Sequence, residues 1–303
     1  MNASFELALD TARAAAGMQH YPQATLYVVA TPIGNLADIT LRALHVLQLV
    51  DAIACEDKRH TQPLLRQYGI DKPLLAVHQH NEAEAAEGLV QRLQRGERVA
   101  YVSDAGTPAV SDPGARLVAA VRAAGFKVMP LPGASSVTTV LSAAGVTRAE
   151  GSEGSGSSFV FAGFLPTKAG ERDQAIELLR TDPRATVILE APHRIEALAR
   201  AMAVLQGRLV TVGRELTKQF EEIATLPAQD LAAWLDAGPQ RTRGEFALVL
   251  HSASAPEGPD DSLRILQLLL AELPLKTAVK LAADITGAAR NELYDTALKL
   301  KNE

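Results

Sequence analysis

Between residues 26 and 144 the chain alternates short apolar runs with amphipathic helical patterns, and this alternation most constrains the fold. Each apolar run ends in small or polar residues, and a helical pattern then follows. The predicted strands span residues 26–30, 52–55, 74–77, 99–102 and 127–131. Strands that alternate with helices form a mostly parallel sheet with helices on its faces. We therefore expect an α/β domain that binds its ligand beyond the carboxyl ends of the strands.

The most elaborate of these connections follows the fourth predicted strand and covers residues 103–114. Gly106 and Gly114 allow backbone conformations that other residues avoid, and the prolines of the stretch stiffen it. Asp104 and Asp112 are acceptors for hydroxyl or amide donors. Because ordinary connections are shorter, the pattern favours a binding loop over a plain polar connection with two turns.

Two further connections in this half have the composition of ligand-binding loops. The run Thr31-Pro32-Ile33-Gly34 lies between the first strand and a helix, which is the arrangement of many phosphate sites. It lacks the three-glycine dinucleotide fingerprint. Ser135 and Ser136 stand where the helix after the fifth strand begins. Their hydroxyls suit a helix cap, and hydroxyls at this position also suit a polar ligand.

A charged cluster, Glu56-Asp57-Lys58-Arg59-His60-Thr61, directly follows the second strand. Such a cluster either faces the expected cleft or forms an ion-paired helix start, and the sequence leaves both interpretations open. His78 and His80 follow the third strand without a carboxylate or cysteine at ligand spacing. We interpret them as solvated or hydrogen-bonded histidines and predict no metal site.

Composition divides the rest of the chain. Residues 147–158 are rich in Gly, Ser and Glu, which predicts a linker. Residues 159–251 predict a second α/β domain with a mixed sheet and a hairpin around residues 214–218. Residues 260–303 predict a small helical domain that is similar to a helix-turn-helix, or that serves packing or dimerisation. The first domain then spans residues 26–146, and residues 1–25 form an amphipathic N-terminal extension.

Charge and hydropathy exclude several classes of protein. The formal net charge is −5, so any contact with a nucleic acid has to use a local basic patch. No apolar run reaches the length of a membrane span, and the N-terminus has no basic start of a signal peptide. We therefore expect a cytoplasmic protein without membrane contact. A single cysteine, Cys55, excludes an internal disulfide and a cysteine-rich zinc site.

Six motifs in order resemble the tetrapyrrole methylase family, and within it the methyltransferases of small-subunit ribosomal RNA. They are residues 26–40, residues 56–61, Ser103-Asp-Ala-Gly-Thr-Pro108, Gly163-Phe-Leu-Pro166, Arg214-Glu-Leu-Thr-Lys218 and Ala271-Glu-Leu-Pro-Leu-Lys276. The resemblance covers residues 26–301. It implies two α/β domains around a cleft, S-adenosylmethionine as cofactor, and a homodimer. The implied substrate is 16S rRNA in the small ribosomal subunit, methylated on the ribose 2′-hydroxyl of a cytidine in the decoding centre.

The resemblance also implies the residues of the site. The implied cofactor-binding residues are Pro32, Ile33, Gly34, Asp104, Ala105, Gly106, Thr107, Ser135, Ser136 and Ala191. Arg59, Arg214 and Lys218 would face the RNA, since arginine and lysine bind phosphate. A base that takes the hydroxyl proton should assist the transfer. The candidates for that base are Glu56, Asp57, His60 and Glu215, and the sequence does not choose among them.

Two other functions are compatible with the sequence. A methylase of a small tetrapyrrole-like precursor would share the cofactor loops but would need no RNA surface. A nucleotide-sensing or RNA-binding module would lack catalysis. Turnover of the cofactor on small ribosomal subunits would separate all three.

Overall fold

The computed structural model describes residues 3–77, 82–111, 114–147, 158–253 and 261–301. Several sequence predictions lie outside the described residues. They concern His78, His80, Asp112, Pro113, residues 148–157 of the linker and residues 254–260. Within the described ranges the chain forms two five-stranded sheets and a C-terminal group of helices.

The first sheet has the strand order β3-β2-β4-β1-β5, and all its strands run parallel. Its strands are β1 (Thr25–Val29), β2 (Ala52–Cys55), β3 (Leu74–Ala76), β4 (Arg98–Val102) and β5 (Lys127–Leu131). Its helices are α2 (Leu41–Leu49), α3 (Lys58–Gln67), α4 (Glu82–Gln94), α5 (Ala115–Ala123) and α6 (Ser136–Ala144). The predicted parallel sheet is confirmed. Because β1 lies between β4 and β5, the loops after these three strands meet at one edge, where such folds bind ligands.

The N-terminal extension folds onto this first unit. Helix α1 (Ala3–Ala16) precedes β1, and its residues Leu9 and Ala12 are buried in one apolar cluster with Leu44 and Leu47 of α2. Thr40 caps α2, since its hydroxyl accepts a hydrogen bond from the Ala43 N–H at 3.1 Å. Helix α1 of the amphipathic extension thus packs one face onto the core of the first unit.

The second sheet is mixed, with the strand order β6-β7-β10-β8-β9. Only β6 and β7 pair in parallel, and the other neighbours are antiparallel. Its strands are β6 (Phe159–Phe164), β7 (Ala185–Glu190), β8 (Leu209–Arg214), β9 (Glu222–Pro227) and β10 (Phe246–Leu250). Its helices are α7 (Ala169–Leu179), α8 (Ile195–Met202) and α9 (Leu231–Asp236). The predicted mixed sheet is confirmed, and β8 and β9 form the expected hairpin.

Helix α6 connects the two sheets. It follows the last strand of the first sheet, yet its residues Val137 and Val140 are buried against Val187 of β7 and Val249 of β10. The loops at the carboxyl edge of the first sheet are thereby held next to the second sheet.

The C-terminal unit consists of α10 (Asp261–Glu272), α11 (Leu275–Thr286) and α12 (Arg290–Lys301). Leu266, Val279, Ala282, Leu293 and Ala297 form its own small core. These helices agree with the small helical domain that the sequence predicts for residues 260–303. Across the described part of the chain, no helix combines the length and the apolar character needed to span a bilayer.

Candidate active site

A cavity of about 310 Å³ lies between the loops of the first sheet and the carboxyl end of β7 in the second. This volume falls in the range of pockets that hold small ligands. Several residues that the resemblance implies for cofactor binding line this cavity. They are Ile33, Ala105, Gly106, Thr107, Ser135, Ser136 and Ala191. Loops that are far apart in the sequence therefore do meet in one place.

Backbone hydrogen bonds tie the three loops together. Thr31 and Gly106 exchange N–H to carbonyl bonds of 2.9 and 3.0 Å, which join the loop after β1 to the loop after β4. The Thr107 hydroxyl donates to the carbonyl of Ala134 at 3.0 Å and joins the loop after β5. Gly106 has φ of +75°, and a Cβ atom there would lie 3.2 Å from Cγ2 of Ile33. Glycine thus permits both the turn and the close approach.

The amino end of α6 faces the cavity. Ser135 precedes this helix, and its side chain makes no capping hydrogen bond. Both Ser135 and Ser136 line the cavity. Because the first N–H groups of a helix have no partner within it and carry partial positive charge, this end can hold a carboxylate of a ligand.

Three of the implied cofactor residues do not line the cavity: Pro32, Gly34 and Asp104. Gly34 instead contacts Lys218, because a Cβ atom at position 34 would lie 2.3 Å from Cγ of that lysine. The carboxylate of Asp104 points to α3. It accepts from the Asp57 N–H at 3.3 Å and contacts Nδ1 of His60 at 2.8 Å. The expected contact of Asp104 with a cofactor stays a prediction, and in the structure its carboxylate binds His60 and the start of α3.

The charged cluster after β2 is organised by this contact and by a helix cap. Asp57 caps α3 by accepting from the Arg59 N–H at 2.8 Å, and it also binds the Arg59 guanidinium at 2.6 Å. The hydrogen bonds from Arg59 lower the pKa of Asp57 to about 2. The hydrogen bond to Asp104 raises the pKa of His60 above its ordinary value. His60 is thus the more basic of the two groups.

Glu215 and Lys218 form a second ion cluster at the turn after β8. Glu215 has φ of +50°, and its Oε1 accepts from Nζ of Lys218 and from the Glu245 N–H, each at 2.9 Å. Nζ of Lys218 also donates to Oε2 of Glu245 at 3.0 Å. Although burial acts to raise the pKa of Glu215, these hydrogen bonds lower it overall. Glu215 is consequently a weaker base than an ordinary glutamate.

Arg214 does not present its charge to solvent. The residue is only 7 % exposed. Its Nε donates to the carbonyls of Gln240 and Arg243, and its Nη1 donates to the carbonyl of Phe220. These bonds join the loop before β10 to the turn between β8 and β9. The expected contact of Arg214 with RNA phosphate stays a prediction, and the bonds of its guanidinium inside the protein favour a structural role for this residue.

Sequence reasoning missed Glu190, which also lines the cavity. The residue is the last of β7, and its Oε1 accepts from the Ala191 N–H and from Nε of Arg194, each at 2.9 Å. A charged residue at the end of a buried strand was visible in the sequence, as at Glu56. The cavity is also lined by Leu189, Glu245 and Phe246, which the sequence did not single out, and by Phe164 and Leu216, which lie in quoted motifs without an assigned role.

No cluster of three or more His, Cys, Asp or Glu side chains that could hold a metal occurs within the described ranges. The site is instead a cavity with apolar walls, a helix amino end and a few fixed polar groups. That combination fits a small ligand with a flat apolar part and charged ends.

Comparisons with known proteins agree with this architecture. The family model "Tetrapyrrole (Corrin/Porphyrin) Methylases" matches residues 25–232, and the model "RsmI C-terminal HTH domain" matches residues 256–301. The chain is 47 % identical to the ribosomal RNA small subunit methyltransferase I of Escherichia coli O157:H7, over 91 % of this chain and 96 % of that protein. It is 48 % identical to the protein of that name from Neisseria meningitidis serogroup B, over 92 % and 94 %.

Solved structures with the same fold are more distant in sequence. A cobalt precorrin-4 methyltransferase of cobalamin biosynthesis matches with a TM-score of 0.55 and 17 % identity, over 75 % of this chain and 94 % of that one. A uroporphyrin-III-C-methyltransferase from Thermus thermophilus matches with a TM-score of 0.53 and 19 % identity, over 78 % and 98 %. At these identities the likeness concerns the fold alone.

Proposed function

The chain belongs to the tetrapyrrole methylase family and, within it, to the ribosomal RNA small subunit methyltransferases I, and we propose its reaction from this premise. The protein transfers a methyl group from S-adenosylmethionine to the ribose 2′-hydroxyl of cytidine 1402 in the decoding centre of 16S rRNA. Its substrate is the small ribosomal subunit, and a homodimer, which the resemblance implies, is part of the proposal. The observation that carries it is the cavity between the two sheets, with the pair His60–Asp104 beside it. Mapping of methyl groups on rRNA after incubation with the protein tests it.

The residues of the cavity fit the cofactor. S-adenosylmethionine supplies an electrophilic methyl group on a sulfonium, whose departure leaves a neutral thioether. Ile33, Phe164 and Leu189 offer apolar walls for its adenosyl part. The amino end of α6, which Ser135 precedes, offers backbone N–H groups for a carboxylate. By holding the cofactor next to the incoming ribose, these residues would place the two reactants close together, which lowers the barrier of the transfer.

We assign the role of general base to His60. Its imidazole is oriented by Asp104 through Nδ1, which leaves Nε2 as the nitrogen that takes the proton of the ribose hydroxyl. The neighbour of Asp104, Ala105, lines the cavity. Asp57 and Glu215 are less basic because their carboxylates already accept hydrogen bonds from Arg59 and from Lys218. His60 therefore combines a raised pKa with a hydrogen bond to the loop whose residue Ala105 lines the cavity.

A matched pair of glycine substitutions tests the cofactor site. Gly106→Val should weaken the binding of S-adenosylhomocysteine at least tenfold, because a branched side chain next to Ile33 intrudes on the cavity wall. Gly125→Val is the control. Gly125 also has a positive φ, of +83°, but nothing lies within 4 Å of a Cβ atom there. Calorimetry should show near-normal affinity for the control, and unchanged affinity in Gly106→Val would contradict the assignment.

A second matched pair tests the RNA surface. Arg59 is held by Asp57, and its side chain is 88 % exposed beside His60. Arg184 is bound by Asp182 in the same way, but it precedes β7 at the opposite end of that strand from Glu190. Each phosphate contact adds a little under one unit to the salt slope of binding. Titrations of rRNA at several salt concentrations should show that Arg59→Ala lowers this slope by about one unit.

Arg184→Ala should leave the slope as it is in the wild-type protein. If both substitutions lower the slope equally, RNA binding depends on the overall charge of the protein and not on a phosphate contact at Arg59. Lys218 is retained as a neighbour of the RNA in this proposal, although its charge is shared with Glu215 and Glu245.

A further inference from the structure

One carboxylate oxygen in the cavity wall has no hydrogen-bond partner. Glu190 is only 2 % exposed and lines the cavity at the end of β7. Its Oε1 accepts two hydrogen bonds, from the Ala191 N–H and from Nε of Arg194. No donor among the described residues reaches its Oε2. Buried polar atoms in native proteins are nearly always paired, and an unpaired charged acceptor is costly.

The orientation of this carboxylate is fixed by its neighbour. Arg194 binds Oε1 through Nε, and its Nη2 donates to the backbone carbonyl of Leu165. The arginine is therefore anchored at two points and holds the carboxylate in one position. Glu245, the other glutamate in the cavity wall, differs because its side chain is 75 % exposed and its Oε2 is bound by Lys218. Oε2 of Glu190 is thus a buried carboxylate oxygen in the described cavity wall that has no hydrogen-bond partner within the protein.

We propose that Glu190 recognises the cofactor by accepting, at Oε2, a hydrogen bond from an N–H or O–H donor of the bound S-adenosyl ligand. The inference rests on the proposed function and names a specificity residue within it. Such a ligand offers donors at its α-ammonium group and on its adenosine part. The amino end of α6 takes a carboxylate, so acceptor and donor sites in the cavity complement a zwitterionic ligand.

Glu190→Gln tests this with little disturbance of the packing. The amide oxygen can keep the bonds from Ala191 and Arg194, while the amide NH₂ takes the place of Oε2 and can no longer accept. Because hydrogen bonds to charged groups contribute strongly, affinity for S-adenosylhomocysteine should fall about 10- to 100-fold in calorimetry. Glu196→Gln is the matched control. Glu196 also pairs with an arginine four residues on, Arg200, but its side chain is 55 % exposed and outside the cavity.

A second ligand identifies the donor. 5′-Methylthioadenosine has the adenosine part of the cofactor but lacks the amino acid part. If Glu190 binds the ammonium group, Glu190→Gln should weaken S-adenosylhomocysteine and leave 5′-methylthioadenosine unchanged. Equal weakening of both ligands would place the donor on the adenosine part. Unchanged affinity for both ligands, with wild-type binding intact, would overturn the inference while leaving the proposed function standing.

Binding to the wild-type protein distinguishes a failure of the proposed function from a failure of the inference about Glu190. If it fails to bind S-adenosylhomocysteine at all, the proposed function fails, and the inference fails with it. Should Glu190→Gln not fold, a crystal structure of the wild-type complex decides in its place. A ligand N or O atom within about 3.2 Å of Oε2 supports the inference, and a ligand that makes no such contact overturns it.

Discussion

Replacing His60 by alanine should lower the rate of methyl transfer by about 10²- to 10⁴-fold, with little change in the affinity for S-adenosylhomocysteine. General bases contribute accelerations of this size. The cofactor should still bind, because the side chain of His60 is largely exposed and does not line the cavity. Single-turnover kinetics on small ribosomal subunits, together with calorimetry, measure the two quantities separately.

The pH dependence gives a sharper form of the same prediction. A base acts in its deprotonated form, so the rate should rise with pH and level off above the pKa of His60. Asp104 raises that pKa above the ordinary 6.5. The inflection in the wild-type protein should therefore lie above pH 6.5. Asp104→Asn removes the charge that favours the imidazolium, and the inflection should move to lower pH while the plateau rate falls.

An exposed histidine away from the site, His20, provides the control. His20→Ala should show the wild-type rate and the wild-type pH profile. A normal rate in His60→Ala, or an Asp104→Asn profile with an unmoved inflection, would remove His60 from the role of base. Glu56, at the end of β2, would then be the next candidate.

Arg214→Met should lower the free energy of unfolding of the second unit by about 2–4 kcal/mol. The substitution keeps much of the apolar stem but removes the donors that bind the carbonyls of Gln240, Arg243 and Phe220. Those carbonyls lie around a nearly buried side chain and lose their partner. Urea denaturation should therefore show an earlier transition, and the salt slope of RNA binding should not change.

Arg200→Met serves as the comparison for this prediction. Arg200 pairs with Glu196 on the exposed face of α8, at 3.8 Å. Exposed pairs of this kind contribute little to stability, so the transition should stay nearly where it is in the wild-type protein. If Arg214→Met has wild-type stability but a reduced salt slope of RNA binding, the result would support the direct RNA contact that the sequence suggested.

The sheets were predictable because their signals are local. The strands of the first sheet are short apolar runs that end in turn or capping residues, and the interior strand β2, Ala52–Cys55, is buried on both faces. For the second sheet the sequence predicted a mixed sheet but not its strand order, because the order depends on which strands pair. The bounds of single strands show the limit, because the start and end of β9, Glu222–Pro227, depend on its pairing with β8.

The directions of the polar side chains were much less predictable. Asp104 binds His60, which lies 44 positions away, and Arg214 binds carbonyls up to 29 positions away. Such partners are set by tertiary packing, and a motif does not reveal them. The same holds for Gly34, which has to be small because the aliphatic part of the Lys218 side chain packs against it. The sequence thus indicated which loops meet at the cavity, whereas the partners of several of their side chains came only from the structure.

The most direct test of the proposed activity uses small ribosomal subunits that lack the modification. They are incubated with the protein and methyl-labelled S-adenosylmethionine, and the labelled position on 16S rRNA is then mapped. We expect one 2′-O-methylated cytidine, at position 1402 in the decoding centre, and a loss of label with Gly106→Val. A methyl group on a base, a label at another position, or no label at all with an intact cofactor complex would contradict the account.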